Sequence, residues 1–409
     1  MLRSFCVFLG LMTGSAALAA EPADTNYDES KVPQFTLPDP LVDNAGQAVG
    51  PEEWVDHRRS EVLRMFEESV YGKTPDQKLD VRYEISESDA DALNGKATRT
   101  QIAAYFGTDP YRIDLLVYTP NGVDEPAPAF VGINFNGNHT VHADPAILQR
   151  DTEFERGSSS DRWQLETVID RGYAVATLAR HQIDPDRYKV NFSDGVHPLF
   201  YSDGQTSPRD DQWGSIGAWA WALSRTLDYL ETVPQIDASR VAVIGHSRMG
   251  KSALWAGARD PRFAMVVSND SGCGGAALYR RCYGERIHHM MKPISYWFCK
   301  NHRQYENRED ELPVDQHMLL ALIAPRPLYV ASATNDRWAD PKGEFLAAKH
   351  ASPVYEMFGK PALSTQSMPK PDHPIHTTIG YHLRTGDHAI TAYDWQQYLA
   401  FADTQMGTQ

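Results

Sequence analysis

Polar and apolar residues change rhythm along the chain. From Leu79 to Tyr118 they alternate, in VRYEISES, ATRTQIAAYFG and YRIDLLVYTP, with the two-residue period of half-covered strands, which predicts an antiparallel meander. Beyond it apolar residues run together, in AFVGINF at 129–135, YAVATLA after Gly172, VAVI at 241–244, FAMVVSND, and Leu328 to Ala333. Short unbroken runs suit strands buried on both faces. Between these runs the period lengthens to that of a helix. WQLETVIDRG ends at Gly172, SIGAWAWALSRTLDYLETV sets Ile216, Trp219, Ala220, Leu223, Leu227 and Leu230 on one face, HMLLALIAP precedes the last apolar run, and TAYDWQQYLAFADT closes the chain. An earlier helix starts at Pro51 with Glu52 and Glu53 in its first turn, puts Val55, Val62, Leu63, Phe66 and Val70 on one face, and stops at Gly72. Strands alternating with helices predict a single α/β domain over 51–409: a doubly wound, mainly parallel sheet with helices on both faces and an antiparallel extension at its N-terminal side.

Some stretches keep no period. Residues 21–50, rich in Pro, Asp and Asn, read as an extended arm over the domain surface or a partly disordered one. Residues 180–212 read as an insertion over the site face, and Ser271 to Asp315 as a long irregular segment. The first twenty residues, MLRSFCVFLGLMTGSAALAA, have one basic residue, a short apolar stretch and Ala17-x-Ala19 spacing. That is the pattern of a secretory signal peptide (1–20), too short in its apolar part for a membrane anchor, so a secreted or periplasmic protein is expected.

Composition narrows the class without naming the chemistry. With 409 residues, 42% hydrophobic and 23% charged, the chain can bury a core and is not fibrous or disordered. A formal net charge of −15 disfavours nucleic acid and anionic membrane as partners. A monomer is expected. Cys273, Cys282 and Cys299 remain after the leader, forming either one disulfide with a free thiol or three thiols.

Candidate chemistry centres on VAVIGHSRMGK, residues 241–251. A buried strand, a tight glycine turn carrying Ser247 and a small-residue helix make the pattern of a nucleophile elbow, as in α/β-hydrolases. The second glycine of the usual G-x-S-x-G is displaced, since Met249 takes its place and Gly250 follows. A serine nucleophile needs a histidine base, and that base an acid to orient it. Ser247, Asp336 and His388 occur in the order this fold uses, each at the end of an element. The NGNH loop after AFVGINF stands where a second oxyanion donor comes from, or is an ordinary turn. His373 and His376 read as a solvated loop rather than metal ligands, and the adjacent His288 and His289 as surface residues that cannot both face one ion from a helix. No metal or other cofactor is expected.

The strings VIGHSRMGK, NDSGCGGAALYRR, NDRWADPKGEF and RTGDHAITAYDWQQYLAF together resemble the bacterial branch of the glucuronoyl esterases, carbohydrate esterase family fifteen, from about Trp54 to the last helix. The resemblance implies Ser247 as nucleophile, His388 as base, Arg248 as a holder of the oxyanion, and Lys251 and Trp338 as sugar contacts. It implies two alternative acids, Asp270 at the position of the fungal glutamate and Asp336 at the usual α/β-hydrolase place, of which the shorter reach of Asp270 favours Asp336. It further implies a Gln and a Glu near residues 290 to 305. His317 and the 180–212 insertion are weaker candidates for lining the site. The implied substrate is an ester of 4-O-methylglucuronic acid in glucuronoxylan with a lignin alcohol. The rivals are an acetyl xylan esterase or general carboxylesterase of the same fold, a non-catalytic carbohydrate-binding protein, and a metal hydrolase.

Overall fold

The computed structural model describes residues 22–407, apart from 109–110, 151–152, 188–191, 364 and 366. The expected leader at 1–20 lies outside the described residues. The alternating segments form long antiparallel strands, β1 (Val81–Ala92), β2 (Ala97–Phe106) and β3 (Tyr111–Pro120). The unbroken apolar runs form β4 (Ala127–Asn134), β5 (Ala174–Ala179), β6 (Ile236–His246), β7 (Met265–Asn269) and β8 (Leu328–Ala333). Every residue of β4, β5, β7 and β8 is buried, as continuous apolarity requires. With β9 (Ile375–His376) and β10 (Ile379–Arg384) they make one sheet in the order β1-β2-β3-β5-β4-β6-β7-β8-β10-β9. Pairing is parallel from β5 across to β10 and antiparallel at both edges. This is the expected doubly wound α/β-hydrolase sheet with its antiparallel extension.

Side chains alternate across β6 into two cores. Val243 joins Trp219 of helix Ser215–Leu230 and Trp255 of helix Arg248–Arg259, whereas Ala242 and Ile244 join Trp395 and Tyr398 of helix Ala392–Ala402. Helices therefore cover both faces, and the carboxyl ends of the parallel strands are left to carry the site.

Several expectations change. The Pro51–Tyr71 helical run contains π turns at Trp54–Arg58 and Glu67–Tyr71. The extra residue in the first rotates Val55 outward to 63% exposure, while Trp54 and Arg58 turn inward. Strand β10 and helix Pro341–Met357 were not expected from pattern. The arm is ordered in residues 22–50 and bonded to the irregular segment, with Gly284 N–H donating to Asn26 O at 2.9 Å and Arg281 paired with Glu29 at 2.7 Å. His288 and His289 are not surface residues. Each is 8% exposed, their rings meet at a tilt with centroids 3.9 Å apart, and both meet Asp24 of the arm. His317 does not line the site either, being buried with Nε2 at 2.8 Å from Pro38 O. Cys273, Cys282 and Cys299 are free thiols. Among the described residues no helix is long and apolar enough to cross a membrane.

Candidate active site

Ser247 sits between β6 and helix Arg248–Arg259 at φ 57° and ψ −128°, a conformation L-residues rarely adopt. The turn is that sharp because the chain must reverse over its own first helical turn. A Cβ at Gly245 would lie 2.0 Å from Met249 O, which requires glycine there, and one at Gly250 would crowd Ser271 Cβ at 3.0 Å. Ser247 N–H is tied to Asn269 O at the end of β7, at 2.9 Å. The first N–H groups of the following helix have no intrahelical acceptor and open beside the serine.

His388 lies in the loop after β10, with 45% of its side chain exposed. Its Nδ1 is 2.6 Å from Oδ2 of Asp336, which is buried just beyond β8 and also accepts from Ala339 N–H at 3.3 Å. The imidazole lies tilted against that of His246, the residue before Ser247, at 4.5 Å between ring centroids. Asp270, at the end of β7, is the other acid near this pair, but makes no hydrogen bond through either oxygen. Burial pushes its pKa well up, and the charges of Asp336 and Glu344 push the same way. The structure thus brings Asp336, Asp270 and His388 together and joins only Asp336 to the imidazole.

Arg248 is held by the 180–212 segment. Its Nη1 donates to Asp186 Oδ2 at 2.9 Å, while Asp186 Oδ1 accepts from Tyr296 Oη at 2.8 Å and Trp297 Nε1 at 2.7 Å. The guanidinium lies over Phe135 and Trp297, at 5.3 and 4.9 Å. In the NGNH loop, Gly137 N–H is already spent on Asn134 Oδ1 at 2.8 Å. Lys251 is buried, and its Nζ donates to Ser271 O at 2.5 Å and Cys273 O at 2.6 Å, with Glu285 Oε2 at 3.8 Å. Trp338 is half-buried, its O accepting from Glu285 N–H at 2.8 Å and its ring 5.2 Å from that of His289.

Lys251, Glu285 and Trp338 therefore form one polar wall beside the elbow. Sequence reasoning missed Glu285. Glu285 stands just before the stretch near 290–305 in which the resemblance implies a Gln and a Glu, and Gln304 within that stretch is exposed. Glu344 was missed too. Fully buried, it accepts from Gly272 N–H at 2.9 Å and Ser332 Oγ at 2.6 Å, and burial pushes its pKa up to about 8. It fixes the glycine turn whose carbonyls receive Lys251.

Two clusters have the donor types for a metal, and neither geometry favours one. In Asp24–His288–His289, Arg286 N–H donates to His289 Nδ1 at 3.1 Å, which leaves the ring proton on the Nε2 that faces Asp24. In Asp270–Asp336–His388, the imidazole nitrogen is occupied by Asp336, and burial pushes the Asp270 pKa well up, against the charged form a metal ligand needs.

Comparison with known proteins places the chain in a family. A profile described as "Glucuronyl esterase, fungi" matches residues 162–359. Carbohydrate esterase MZ0003, from an unknown prokaryotic organism, is 46% identical over 95% of this chain and 93% of its own length. The chain belongs to carbohydrate esterase family 15. Within that family, the solved glucuronoyl esterase from Solibacter usitatus is 45% identical and superposes with a TM-score of 0.89, over 92% of this chain and 100% of that one. A 4-O-methyl-glucuronoyl methylesterase of the fungus Wolfiporia cocos is 28% identical over 81% of this chain and 75% of its own.

Proposed function

We propose that this protein is an exported glucuronoyl esterase that hydrolyses esters between the carboxyl group of 4-O-methylglucuronic acid, carried on glucuronoxylan, and lignin alcohols. The observation that carries the reading is the polar wall. The Lys251 ammonium lies 3.8 Å from the Glu285 carboxyl group, and Glu285 is bonded through its backbone to Trp338, so an ammonium, a carboxyl group and an indole are gathered on one side of the serine elbow, a set that suits a hydroxylated sugar.

In this reading Ser247 attacks the uronic carbonyl as His388 takes its proton. Asp336 holds the imidazole in the tautomer that presents Nε2 to the serine and balances the imidazolium that forms. The helix N–H groups after Ser247 and the Arg248 guanidinium face the developing oxyanion. The imidazolium then gives its proton to the departing alcohol, and a water deprotonated by His388 releases the glucuronate from Ser247. Lys251 and Glu285 bond the sugar hydroxyls while Trp338 covers its ring face.

The test compares benzyl glucuronate with a simple aryl acetate on the mature protein and its Ser247→Ala variant. Preference for the glucuronate, abolished in the folded variant, is the expected outcome. Preference for the acetate would move the function to a general carboxylesterase, and activity surviving Ser247→Ala would overturn the mechanism.

A further inference from the structure

An ester has two halves, and the glucuronoyl reading assigns a place to only one. Ser247 follows β6. The carbonyls that receive Lys251 follow β7 and Trp338 follows β8, so the polar wall lies on the β7–β8 side of the nucleophile. An ester carbonyl at Ser247 that places its sugar there must point its alcohol toward β4 and β5. On that side a shallow recess, open to solvent, is walled by Ile133, Phe135, Trp163 and Trp395. It reaches Gly245 and His246, just before Ser247, and Ile390, two residues after His388.

The walls are apolar but one lining group is not. The guanidinium of Arg162 lies over Phe135 with Cζ 5.0 Å from the ring centre, and Trp395 Nε1 donates to Arg162 O at 2.8 Å, anchoring the backbone. Arg248 lies across the same ring at 5.3 Å and has Asp186 as its counter-ion. Arg162 is paired with no carboxylate among the described residues, and burial together with the like charge of Arg248 pulls its pKa down. A cation half withdrawn from water without a counter-ion is destabilising. In a chain of net charge −15, carboxylates are plentiful, and this arginine is kept apart from them.

Resting on the glucuronoyl reading, we propose that this pocket receives the alcohol half of the ester and selects aromatic alcohols bearing a carboxylate. The ring packs on Phe135 and Trp163, and the carboxylate pairs with Arg162.

The experiment measures kcat/KM for benzyl, 4-carboxybenzyl and 4-(aminomethyl)benzyl glucuronates on the wild-type protein and on Arg162→Gln and Arg162→Lys. Ratios are taken within one preparation, so any misfolded fraction cancels. A charge-assisted pair predicts that wild type favours the carboxybenzyl ester over the benzyl ester by about tenfold and disfavours the aminomethyl ester. The ratio should fall to about one in Arg162→Gln and be partly kept in Arg162→Lys. Turnover of the glucuronates with no charge preference in wild type, or an unchanged preference in Arg162→Gln, would overturn the inference alone. Failure to hydrolyse any glucuronate while an aryl acetate is cleaved would overturn the glucuronoyl reading and this inference with it.

Discussion

The ends of β7 and β8 each carry an aspartate toward His388, and their surroundings treat the two in opposite ways. Asp336 accepts hydrogen bonds from His388 Nδ1 and from a backbone N–H. Asp270 is equally buried but accepts none, and its nearest cation, Arg384, stands 4.0 Å away and is shared with Asp394. The difference teaches that proximity to a base does not make an acid its partner. A carboxyl group orients a histidine when donors hold it ionised, and burial without donors returns it to the neutral form.

Asp336→Asn gives the largest effect in this comparison. It removes the charge and the tautomer control together, so kcat/KM should fall by about 10³–10⁴ with little change in melting temperature. Asp270→Asn removes a carboxyl group that burial pushes toward its neutral form and that bonds nothing, and should stay within about threefold of wild type. Assays of the two single variants across pH decide it; a larger loss in Asp270→Asn, or a loss confined to the double variant, would reverse or merge the roles.

Glu344 supplies the smallest effect. Its folded pKa of about 8 lies above the ordinary 4.5, so the folded chain keeps a proton that the unfolded chain releases between those values. Its stability contribution is full below about pH 4.5 and is lost as pH rises through 8. Glu344→Gln cannot lose that proton, so its melting temperature should decline less than that of wild type between pH 6 and 9. Parallel declines would show that Glu344 is already ionised, which would weaken the case for a neutral Asp270 beside it.

Most of this arrangement was legible in the chain because its signals are local. The apolar run into Gly245 and Ser247 marks the elbow, and the order serine, acid, histidine points to His388 with either Asp336 or Asp270, of which reach favours Asp336. The parts that escaped depend on partners far away in sequence. Strand β10 reads IGYHLR, and its His382 and Arg384 look too polar for a buried strand until Asp394 of the last helix meets them at 2.8 and 3.0 Å. Glu285 lies in a segment without period, so only the fold brings it beside Lys251. The burial of His288 and His289 comes from Asp24, which no local pattern connects to them.

The same arm sets an order of assembly. Asp24, Glu29 and Pro38 are made first, yet their partners follow 264, 313 and 279 residues later, at His288, Lys342 and His317. Closing loops of that length before other contacts exist is entropically slow, so the arm docks after the sheet and its helices have formed. Because His289 links Asp24 to the Trp338 ring, the backing of the polar wall rests on the most distant contacts in the chain, whereas the elbow is built from residues adjacent in sequence.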